Sequence, residues 1–429
     1  MKKLILSFFK DFNQNTFSSL KIRNYRLYFM GQSISLSGTW MQTIGQAWLV
    51  LKLTGSGTAL GLVTALQFLP VLIFGAMGGV IADRLPKRKI LYFTQSTAAL
   101  LALILGLLVV TDTIQLWMIY ILAPMLGLVN SIDNPTRRTF VMEMVGSKQL
   151  SNAITLFSTA FNLSRIVGPA VAGAVIAAFG LAPCFFVNSA SYAAVLVALS
   201  LMHTDELHQV DPVKRAKGQL REGLRYVSNT PILKYLLIMV AIVGTLTFEF
   251  QVNLPLLAKF TFGTGADGYA LLNTAMGIGA VTGGILIAGR KRIKPSSLIY
   301  TSVIFGITII LTAVTPTIHF AIFMMIIVGI FLIQFTSYGE TMLQLESDPN
   351  MRSRVMSLWS IAFLGSTPIG GLIIGWIGEY ASPRWGLTVS GAAAITAGVF
   401  GFIKIKNIKL KSLEPELAEP IPVEDTKGA

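Results

Sequence analysis

The sequence predicts an all-α membrane protein with twelve transmembrane helices arranged as two parallel six-helix repeats. Three observations lead to this fold class. The composition is too apolar for a soluble chain of 429 residues, the apolar residues fall into runs of about 20, and the positive charge lies in alternate loops.

The composition indicates a membrane environment. Charged residues make up 13% of the chain and hydrophobic residues 53%, whereas soluble domains usually carry about 25% charged residues. A soluble fold of this composition would expose large apolar patches. A helix of about 20 apolar residues crosses the hydrocarbon with all its backbone N–H and C=O groups bonded internally. The composition therefore predicts helices and excludes open strands within the bilayer.

Twelve apolar segments, called spans 1 to 12 here, follow from the positions of the apolar runs. They cover residues 27–51, 58–82, 90–110, 116–132, 151–179, 184–202, 232–257, 268–288, 298–314, 318–342, 355–377 and 385–403. A polar linker at residues 203–231 separates an N-terminal bundle (27–202) from a C-terminal bundle (232–405). Polar tails precede and follow them at residues 1–26 and 406–429.

The lysine and arginine residues predict the orientation of these spans. They concentrate in the N-tail, in the loops after spans 2, 4, 8 and 10, in the linker and in the C-tail. Because such residues mark cytoplasmic loops, both termini are predicted to be cytoplasmic, which requires an even number of crossings. The net charge of +14 is spread over these loops rather than clustered on a soluble face, so we expect no nucleic-acid partner.

The two bundles share a sequence pattern. Residues Ser158–Pro169 in span 5 match Ser357–Pro368 in span 11 through their serine and proline positions, at a constant offset of 199 residues. Parallel repeats of this kind predict a binding cavity near the membrane midplane between the halves, which rock to give alternating access.

The loop after span 2 carries a motif in which a glycine precedes an Asp-Arg pair and then a basic pair. It resembles the signature of the major facilitator superfamily, although Pro86 stands where that family usually has glycine. The resemblance implies a cytoplasmic charge latch, with Asp83 at the N-terminus of span 11 and the basic pair at Asp133; a simple positive-inside anchor is the alternative. The latch residues are Gly79, Asp83, Arg84, Arg88, Asp133 and Arg137.

Two further segments, Asp133–Arg138 and Arg165–Gly173, resemble one branch of this superfamily. That branch comprises bacterial exporters similar to the enterobactin exporter and the macrolide efflux pumps, so the resemblance implies the bacterial cytoplasmic (inner) membrane. Within span 5, Gly168, Pro169 and Gly173 resemble an antiporter motif. Plain helix packing through small residues is the alternative reading of those positions.

Three of the charged residues inside predicted spans are candidates for function, because charge there is costly and usually faces a partner or a cavity. Arg165 in span 5 is predicted to bind an anionic or polar substrate group or to take part in coupling, with an interhelical pair as the alternative. A carboxyl group in a low-dielectric cavity can take up and release a proton. Glu249 is the first candidate for proton coupling, and Glu340 is the second, with a latch or surface role as its alternative.

Spans 1, 4, 7 and 10 line the cavity in this superfamily, and in this chain they carry amide and aromatic residues. Such a lining suits an uncharged or amphipathic ligand with rings and hydrogen-bonding groups. Together with Arg165, the predicted cavity residues are Gln32, Trp40, Gln42, Gln46, Asn130, Gln251, Asn253, Gln334 and Tyr338.

These observations predict a secondary active exporter that carries a small amphipathic compound, of the drug or siderophore type, by proton antiport. A lipid or lysolipid flippase of the same fold is the alternative, followed by a membrane sensor or scaffold. The sequence has no phosphate-binding loop and no histidine and cysteine cluster at metal-ligand spacing, so we expect no enzyme activity, cofactor or metal. The predicted partners are the substrate, protons and membrane lipid, and the predicted state is a monomer.

Overall fold

The computed structural model describes residues 17–208, 219–288, 294–405 and 408, and in them it contains helices and no strand. Residues 1–16 of the N-tail, 209–218 of the linker and 409–429 of the C-tail lie outside the described residues. The helices are α1 (Arg23–Thr54), α2 (Gly57–Arg84), α3 (Lys87–Val110), α4 (Leu116–Phe179), α5 (Ala182–Ser200), α6 (Gln219–Asn229), α7 (Pro231–Leu246), α8 (Phe250–Leu256), α9 (Ala266–Ala288), α10 (Pro295–Ala313), α11 (Ile318–Glu346), α12 (Arg352–Leu364), α13 (Thr367–Tyr380) and α14 (Pro383–Ile405). Short turns of 3₁₀ or π helix occur at Ser18–Lys21, Thr204–Glu206 and Leu257–Thr261.

The helices confirm an all-α, multi-pass membrane fold. Within the described ranges, 10 helical segments are long and apolar enough to cross a membrane. Span 1 is not among these segments, because the Gln, Ser and Thr residues of α1 lower its hydropathy. Spans 4 and 5 fall together in the single segment Leu116–Phe179. The number twelve therefore stays a prediction.

The longest helix, α4, contains a change of direction. Its 64 residues would extend about 96 Å if straight, roughly three times the hydrocarbon thickness. Gly146 has φ 65° and ψ 177°, a conformation that glycine adopts without steric cost. Spans 4 and 5 are thus the two arms of α4 on either side of Gly146.

Spans 7 and 11 are discontinuous. Span 7 consists of α7 and α8, and span 11 consists of α12 and α13. Ser390 in α14 closes the first break, because its carbonyl accepts a bond from Thr247 Oγ1 (2.9 Å) and its hydroxyl donates to the Leu246 carbonyl (2.7 Å). Asn253 Nδ2 in turn donates to Ser390 Oγ at 3.1 Å. The bond to the Leu246 carbonyl replaces a helical one where no water is available, and the other two attach the break to α14.

The two bundles meet along two seams, α2 against α13 (the 2/11 seam) and the second arm of α4 against α9 (the 5/8 seam). Small residues allow close approach at both: a Cβ atom on Gly61 would overlap the Gly371 backbone, and one on Gly173 would press on Ala270. In the two repeats, span 2 corresponds to span 8 and span 5 corresponds to span 11. Under this correspondence the 2/11 seam is equivalent to the 5/8 seam. This arrangement is the one expected of two parallel repeats.

Polar contacts join the bundles at one end of the molecule. Glu379 of α13 accepts bonds from Ser56 Oγ (2.7 Å) and from the Thr58 N–H (2.8 Å) at the start of α2. We call these three residues the clasp and this side the clasp end. The opposite side, with α6, is the linker end. A carboxylate at a helix N-terminus both caps it and interacts favourably with its dipole.

Packing of α9 against α11 generates a first prediction. A Cβ atom on Gly279 would overlap the Ile326 carbonyl oxygen, whereas one on Gly284 of the same helix would meet open space. We expect Gly279→Ala to destabilise the protein by about 1–3 kcal/mol, because it overpacks the contact. Gly284→Ala is the matched control and is expected to be neutral or stabilising by up to about 1 kcal/mol. Thermal unfolding of the purified variants in detergent measures both, and equal midpoints would contradict the prediction.

The clasp generates a second prediction. Spin labels on the exposed residues Lys52 and Thr317 report the distance between the two bundles at the clasp end by double electron–electron resonance. We expect Glu379→Asn to move the distribution toward longer distances, because the shortened side chain loses both bonds to α2.

The exposed residue Asp112 provides the control, since Asp112→Asn also removes a carboxylate from the clasp end without touching the clasp. An unchanged distribution in Glu379→Asn would show that the clasp does not hold the bundles together.

Candidate functional site

A cavity of about 270 Å³ lies mainly within the N-terminal bundle. Its wall combines amides, hydroxyls, aromatic rings and aliphatic side chains. The lining residues are Leu36, Thr39, Trp40, Gln42, Thr43, Gln46, Ala47, Leu60, Val63, Thr64, Gln67, Phe68, Leu126, Asn130, Asn134, Arg137, Phe161, Asn188, Tyr192 and Gln251. Gln251 alone in this lining comes from the C-terminal bundle, so the cavity touches both halves of the molecule.

Hydrogen bonds between helices fix several amides of the cavity wall. Gln46 Nε2 of α1 donates to Gln67 Oε1 of α2 at 3.0 Å. Asn188 Nδ2 of α5 donates to Gln42 Oε1 of α1 at 2.6 Å. The remaining donors and acceptors of these amides are positioned for a ligand, because each side chain is already oriented by its neighbour.

Arg137 is the charged member of the lining. It forms an ion pair with Asp133, one helical turn earlier in α4, and its Nη1 donates to Gln32 Oε1 at 3.0 Å. Asp133 Oδ1 also accepts bonds from Thr94 Oγ1 (2.6 Å) and Gln95 Nε2 (2.8 Å) of α3. These bonds fix the position of the guanidinium group at the cavity wall.

The predicted contact between the basic pair after span 2 and Asp133 is wrong. Lys87 instead forms an ion pair with Glu143 at 2.5 Å. Arg88 Nε donates to the Leu199 carbonyl at 2.9 Å. The difference arises because Asp133 is 1% exposed and turned toward α3, out of reach of a loop at the membrane edge.

The other latch residues lie in the last turns of α2. Gly79 is buried, Asp83 is half-buried and Arg84 is exposed. Close packing of α2 on span 11 occurs near the clasp end, where Gly57 contacts Gly375 and Gly61 contacts Gly371. The pairing of Asp83 with the N-terminus of span 11 stays a prediction.

The predicted cavity residues divide into two groups. Trp40, Gln42, Gln46, Asn130 and Gln251 line the cavity. The second group lies outside its lining and consists of Gln32, Arg165, Asn253, Gln334 and Tyr338.

The residues of the second group that lie on spans 7 and 10 are buried outside the cavity lining. Asn253 is bonded to Ser390, and Gln334 and Tyr338 are buried in α11. In their place, α2 contributes five residues to the wall, which no sequence pattern predicted. These are Leu60, Val63, Thr64, Gln67 and Phe68.

Other cavity residues that were not predicted from the sequence belong to α4 and α5. Asn134 and Asn188 are amides within apolar helices, which is the signal that identified Gln42 and Asn130. Tyr192 gave no such signal, because a tyrosine in a span is also typical of packing or of the membrane interface.

Arg165 lies behind the cavity wall. Its guanidinium carbon is 5.5 Å from the ring centroid of Trp40, within the range of a cation–π interaction. Trp40 itself lines the cavity and packs edge-on against Phe161 at a centroid distance of 6.3 Å. Arg165 therefore contributes positive charge next to the cavity without lining it.

Glu249 lies at the break in span 7, as the N-cap residue of α8. It is 2% exposed, and its Oε1 has no hydrogen-bond partner among the described residues. A Cβ atom on Gly370 would lie 2.8 Å from Glu249 Oε1, and one on Gly371 would lie 3.4 Å from Oε2 and 3.7 Å from Thr64 Cβ. The carboxyl group therefore sits at the 2/11 seam, close to one residue of the cavity wall.

Glu340 is a half-buried residue near the linker end of α11. Gln344 Nε2 lies 3.4 Å from its Oε1, and it interacts electrostatically with Arg138 of the other bundle. This environment is compatible with both the coupling role and the latch role predicted for it.

The antiporter-like motif in span 5 packs on two sides. A Cβ atom on Gly168 would overlap Trp40 of α1, and Gly173 faces Ala270 across the 5/8 seam. Pro169 is buried between them. The motif thus joins a cavity helix to a seam, and its link to antiport stays a prediction.

Comparisons with known proteins agree with this architecture. The family model described as transmembrane secretion effector matches residues 14–426. The chain is 24% identical over 394 residues to the staphyloferrin A transporter of Staphylococcus aureus, covering 90% of this chain and 97% of that protein. It is 23% identical to the multidrug efflux pump Tap of Mycolicibacterium fortuitum, covering 80% and 87%, and 23% identical to the enterobactin exporter EntS of Shigella flexneri, covering 87% and 90%.

Solved structures share the fold. The crystal structure of a bacterial homologue of the human lysosomal transporter Spinster superposes with a TM-score of 0.71 at 14% identity, over 89% of this chain and 96% of that chain. The nucleoside transporter NupG gives a TM-score of 0.72 at 14% identity, over 91% and 100%. The chain belongs to the transmembrane secretion effector family of the major facilitator superfamily, and it is a multi-pass membrane efflux transporter rather than an enzyme.

Proposed function

We propose that this chain exports a small amphipathic compound across the bacterial cytoplasmic membrane by proton antiport with alternating access. The observation that carries this proposal is the position of Glu249. Its carboxyl group is buried at the 2/11 seam, where the two bundles must separate and rejoin if access to the cavity alternates.

The type of substrate is supported by the relatives and by the cavity. The relatives are named for staphyloferrin A, for multiple drugs, for macrolides and for enterobactin, all of which are small organic compounds. The cavity has amides for hydrogen bonding beside the rings of Trp40, Phe68 and Phe161. Such a lining binds a compound that has both polar and apolar parts.

The coupling mechanism follows from what surrounds Glu249. With the 2/11 seam closed, the carboxyl group is isolated from water against Gly370 and Gly371. Opening the seam at the clasp end would move α2 away and expose the carboxyl group, so that it could exchange a proton. Because the same movement uncovers the cavity wall at Thr64, proton exchange and substrate release would occur in the same state of the transporter.

The second coupling candidate, Glu340, is less directly connected to this movement. It lies at the linker end beside Arg138, away from the 2/11 seam. Its interaction with the other bundle favours a role in closing the linker end. We therefore place proton exchange at Glu249.

The proposed orientation puts the linker end in the cytoplasm. This orientation is supported by contacts among described residues of the basic segments, since Asn24 bonds to the His203 backbone and Arg354 pairs with Glu222 of α6 at that end. Export then requires the cavity to load from the linker end and to release its substrate at the clasp end.

Glu249→Gln tests the coupling. A growth screen of deletion and overexpression strains against siderophores, macrolides and dyes first identifies a transported probe. In proteoliposomes with an imposed pH gradient, we expect the variant to lose most gradient-driven transport of that probe, at least about tenfold, because glutamine cannot carry a proton. Counterflow of the probe without a gradient is expected to continue.

Two variants make this result specific. Glu206→Gln changes an exposed carboxyl group and is expected to behave like the unmodified protein, whereas Glu340→Gln reports on the second candidate. Unchanged gradient-driven transport in Glu249→Gln would refute coupling through this residue. Movement of a fluorescent phospholipid without a gradient, and no drug transport, would favour the flippase.

The orientation generates a separate prediction. Single cysteines replace Ser412 in the C-tail or Thr317 at the clasp end, in a Cys184→Ala background, and are treated with a membrane-impermeant maleimide. We expect Ser412→Cys to react in inverted vesicles only and Thr317→Cys in intact cells only, since basic loops remain in the cytoplasm. The reverse pattern would invert the proposed direction of transport.

A further inference from the structure

We infer that the cavity selects an organic anion, a small molecule with a carboxylate and several hydrogen-bond acceptors, over an organic cation of similar shape. This inference rests on the proposed function, because it names the substrate class of the same site. It narrows the sequence-based expectation of an uncharged or amphipathic ligand.

The charge of the cavity wall is the first observation. Of the side chains that form the described lining, Arg137 is the charged one, and none is a carboxylate. An organic cation that entered the cavity would leave water without meeting an opposite charge. Removing a charged group from water without a partner is strongly unfavourable. The wall therefore discriminates by sign of charge.

Asp133 does not cancel this effect within the cavity. It is 1% exposed, its Oδ1 accepts bonds from Thr94 and Gln95, and it is ion-paired with Arg137 on the side of α3. Arg137 uses Nη1 for Gln32 and Nε for Asp133. Its Nη2 has no hydrogen bond within the described part of the chain, so a donor with positive charge remains for a ligand.

A surplus of donors surrounds the same guanidinium group. Gln32, which is fully buried, accepts a bond from Arg137 through Oε1, whereas its Nε2 has no acceptor. An anionic group in the cavity would supply an acceptor to the guanidinium group of this donor-rich cluster. Charge-assisted hydrogen bonds of this kind are stronger than neutral ones, and arginine is well suited to binding carboxylates.

Arg165 adds positive charge on the other side of the wall. Its guanidinium group lies against the ring of Trp40, with 5.5 Å from its carbon to the ring centroid. A cation on the back of an aromatic ring opposes the binding of a second cation on its front, because the negative face of the ring already interacts with the first. The aromatic rings of this cavity are therefore poorly placed to bind a cationic drug.

Glu249 is the carboxyl group to weigh against this inference. It lies behind Thr64 at the 2/11 seam, is 2% exposed and faces Gly370 and Gly371 rather than the cavity. It does not belong to the lining. In the state described here it can carry a proton but cannot serve as the counter-charge for a cation bound at the wall.

Seven amide side chains in the lining define the rest of the ligand. They are Gln42, Gln46, Gln67, Asn130, Asn134, Asn188 and Gln251. Each amide offers two N–H donors and one carbonyl acceptor, so a compound with several carbonyl or hydroxyl oxygens fits them. The aliphatic residues opposite, such as Leu36 and Val63, accommodate its hydrocarbon part.

Three probes of one shape and different charge test the inference: 2-naphthoate, 2-naphthamide and 2-naphthylmethylammonium. Their dissociation constants are measured by isothermal titration calorimetry on the full chain in nanodiscs. We expect the carboxylate to bind about tenfold more tightly than the amide, as is typical of a hydrogen bond to a charged group, and the ammonium most weakly. An ammonium that binds as tightly as the carboxylate would overturn the inference.

Variants of the wall locate the effect. Arg137→Gln is expected to remove the preference for the carboxylate, and Arg137→Lys to retain part of it. Because Arg137→Gln leaves Asp133 without its partner, the double variant Asp133→Asn/Arg137→Gln keeps the site neutral, and its thermal unfolding checks the fold. Arg225→Gln removes an exposed arginine of α6 and should leave all three affinities unchanged. A carboxylate preference that survives in both Arg137→Gln and the double variant would refute the assignment.

The inference and the proposed function fail in different ways. If a pH gradient drives transport of a cationic dye such as ethidium but not of 2-naphthoate, export by antiport stands and the anion selectivity is wrong. If 2-naphthoate binds with the expected preference but no probe responds to a pH gradient, the selectivity stands and proton antiport is wrong.

Discussion

The absence of water from the hydrocarbon core is the constraint on which the rest of this structure depends. Backbone groups freed by a break must find partners there, and Ser390 provides them where span 7 is interrupted. Charged groups must be paired or lie at a cavity. Asp133 and Arg137 meet this requirement through their ion pair and three neighbouring polar side chains. Glu249 is the contrasting case, because it is buried at a seam with an oxygen that lacks a hydrogen bond.

The same constraint explains why the seams consist of small residues. Apolar surfaces gain little from leaving lipid for each other, so helices associate in the membrane through close packing and polar contacts. Gly61 against Gly371 and Gly173 against Ala270 give that packing, and the clasp adds polar bonds between α2 and α13. An interface of glycine backbones and a few hydrogen bonds can separate and rejoin without exposing large side chains, which is what alternating access requires.

The proposed substrate site and the proposed coupling site are distinct but adjacent. Arg137 and the amides line the cavity, whereas Glu249 lies at the seam, near Thr64 of α2. In the proposed mechanism, this separation lets one wall determine which ligand is bound while another group exchanges the proton. It also explains how relatives with different substrates can share one fold, because the amides and rings of the wall can vary without a change in the seams.

The sequence by itself determined the class of fold and singled out Glu249 as a buried charge, because hydropathy, loop charge and the cost of charge in lipid are local properties of the chain. It did not identify the ion pair of Asp133 with Arg137 at the cavity, because it placed both residues in a cytoplasmic latch. It also identified five of the cavity residues through amides and a tryptophan in apolar runs. Only the tertiary structure decided which face of each helix turns inward. It placed Asn253, Gln334 and Tyr338 inside the C-terminal bundle, turned Asp133 toward α3 rather than the basic loop, and brought Glu379 to the start of α2. Those outcomes depend on the rotation of each helix about its axis and on contacts between residues far apart in the chain. A local sequence pattern predicts neither the rotation nor the contacts.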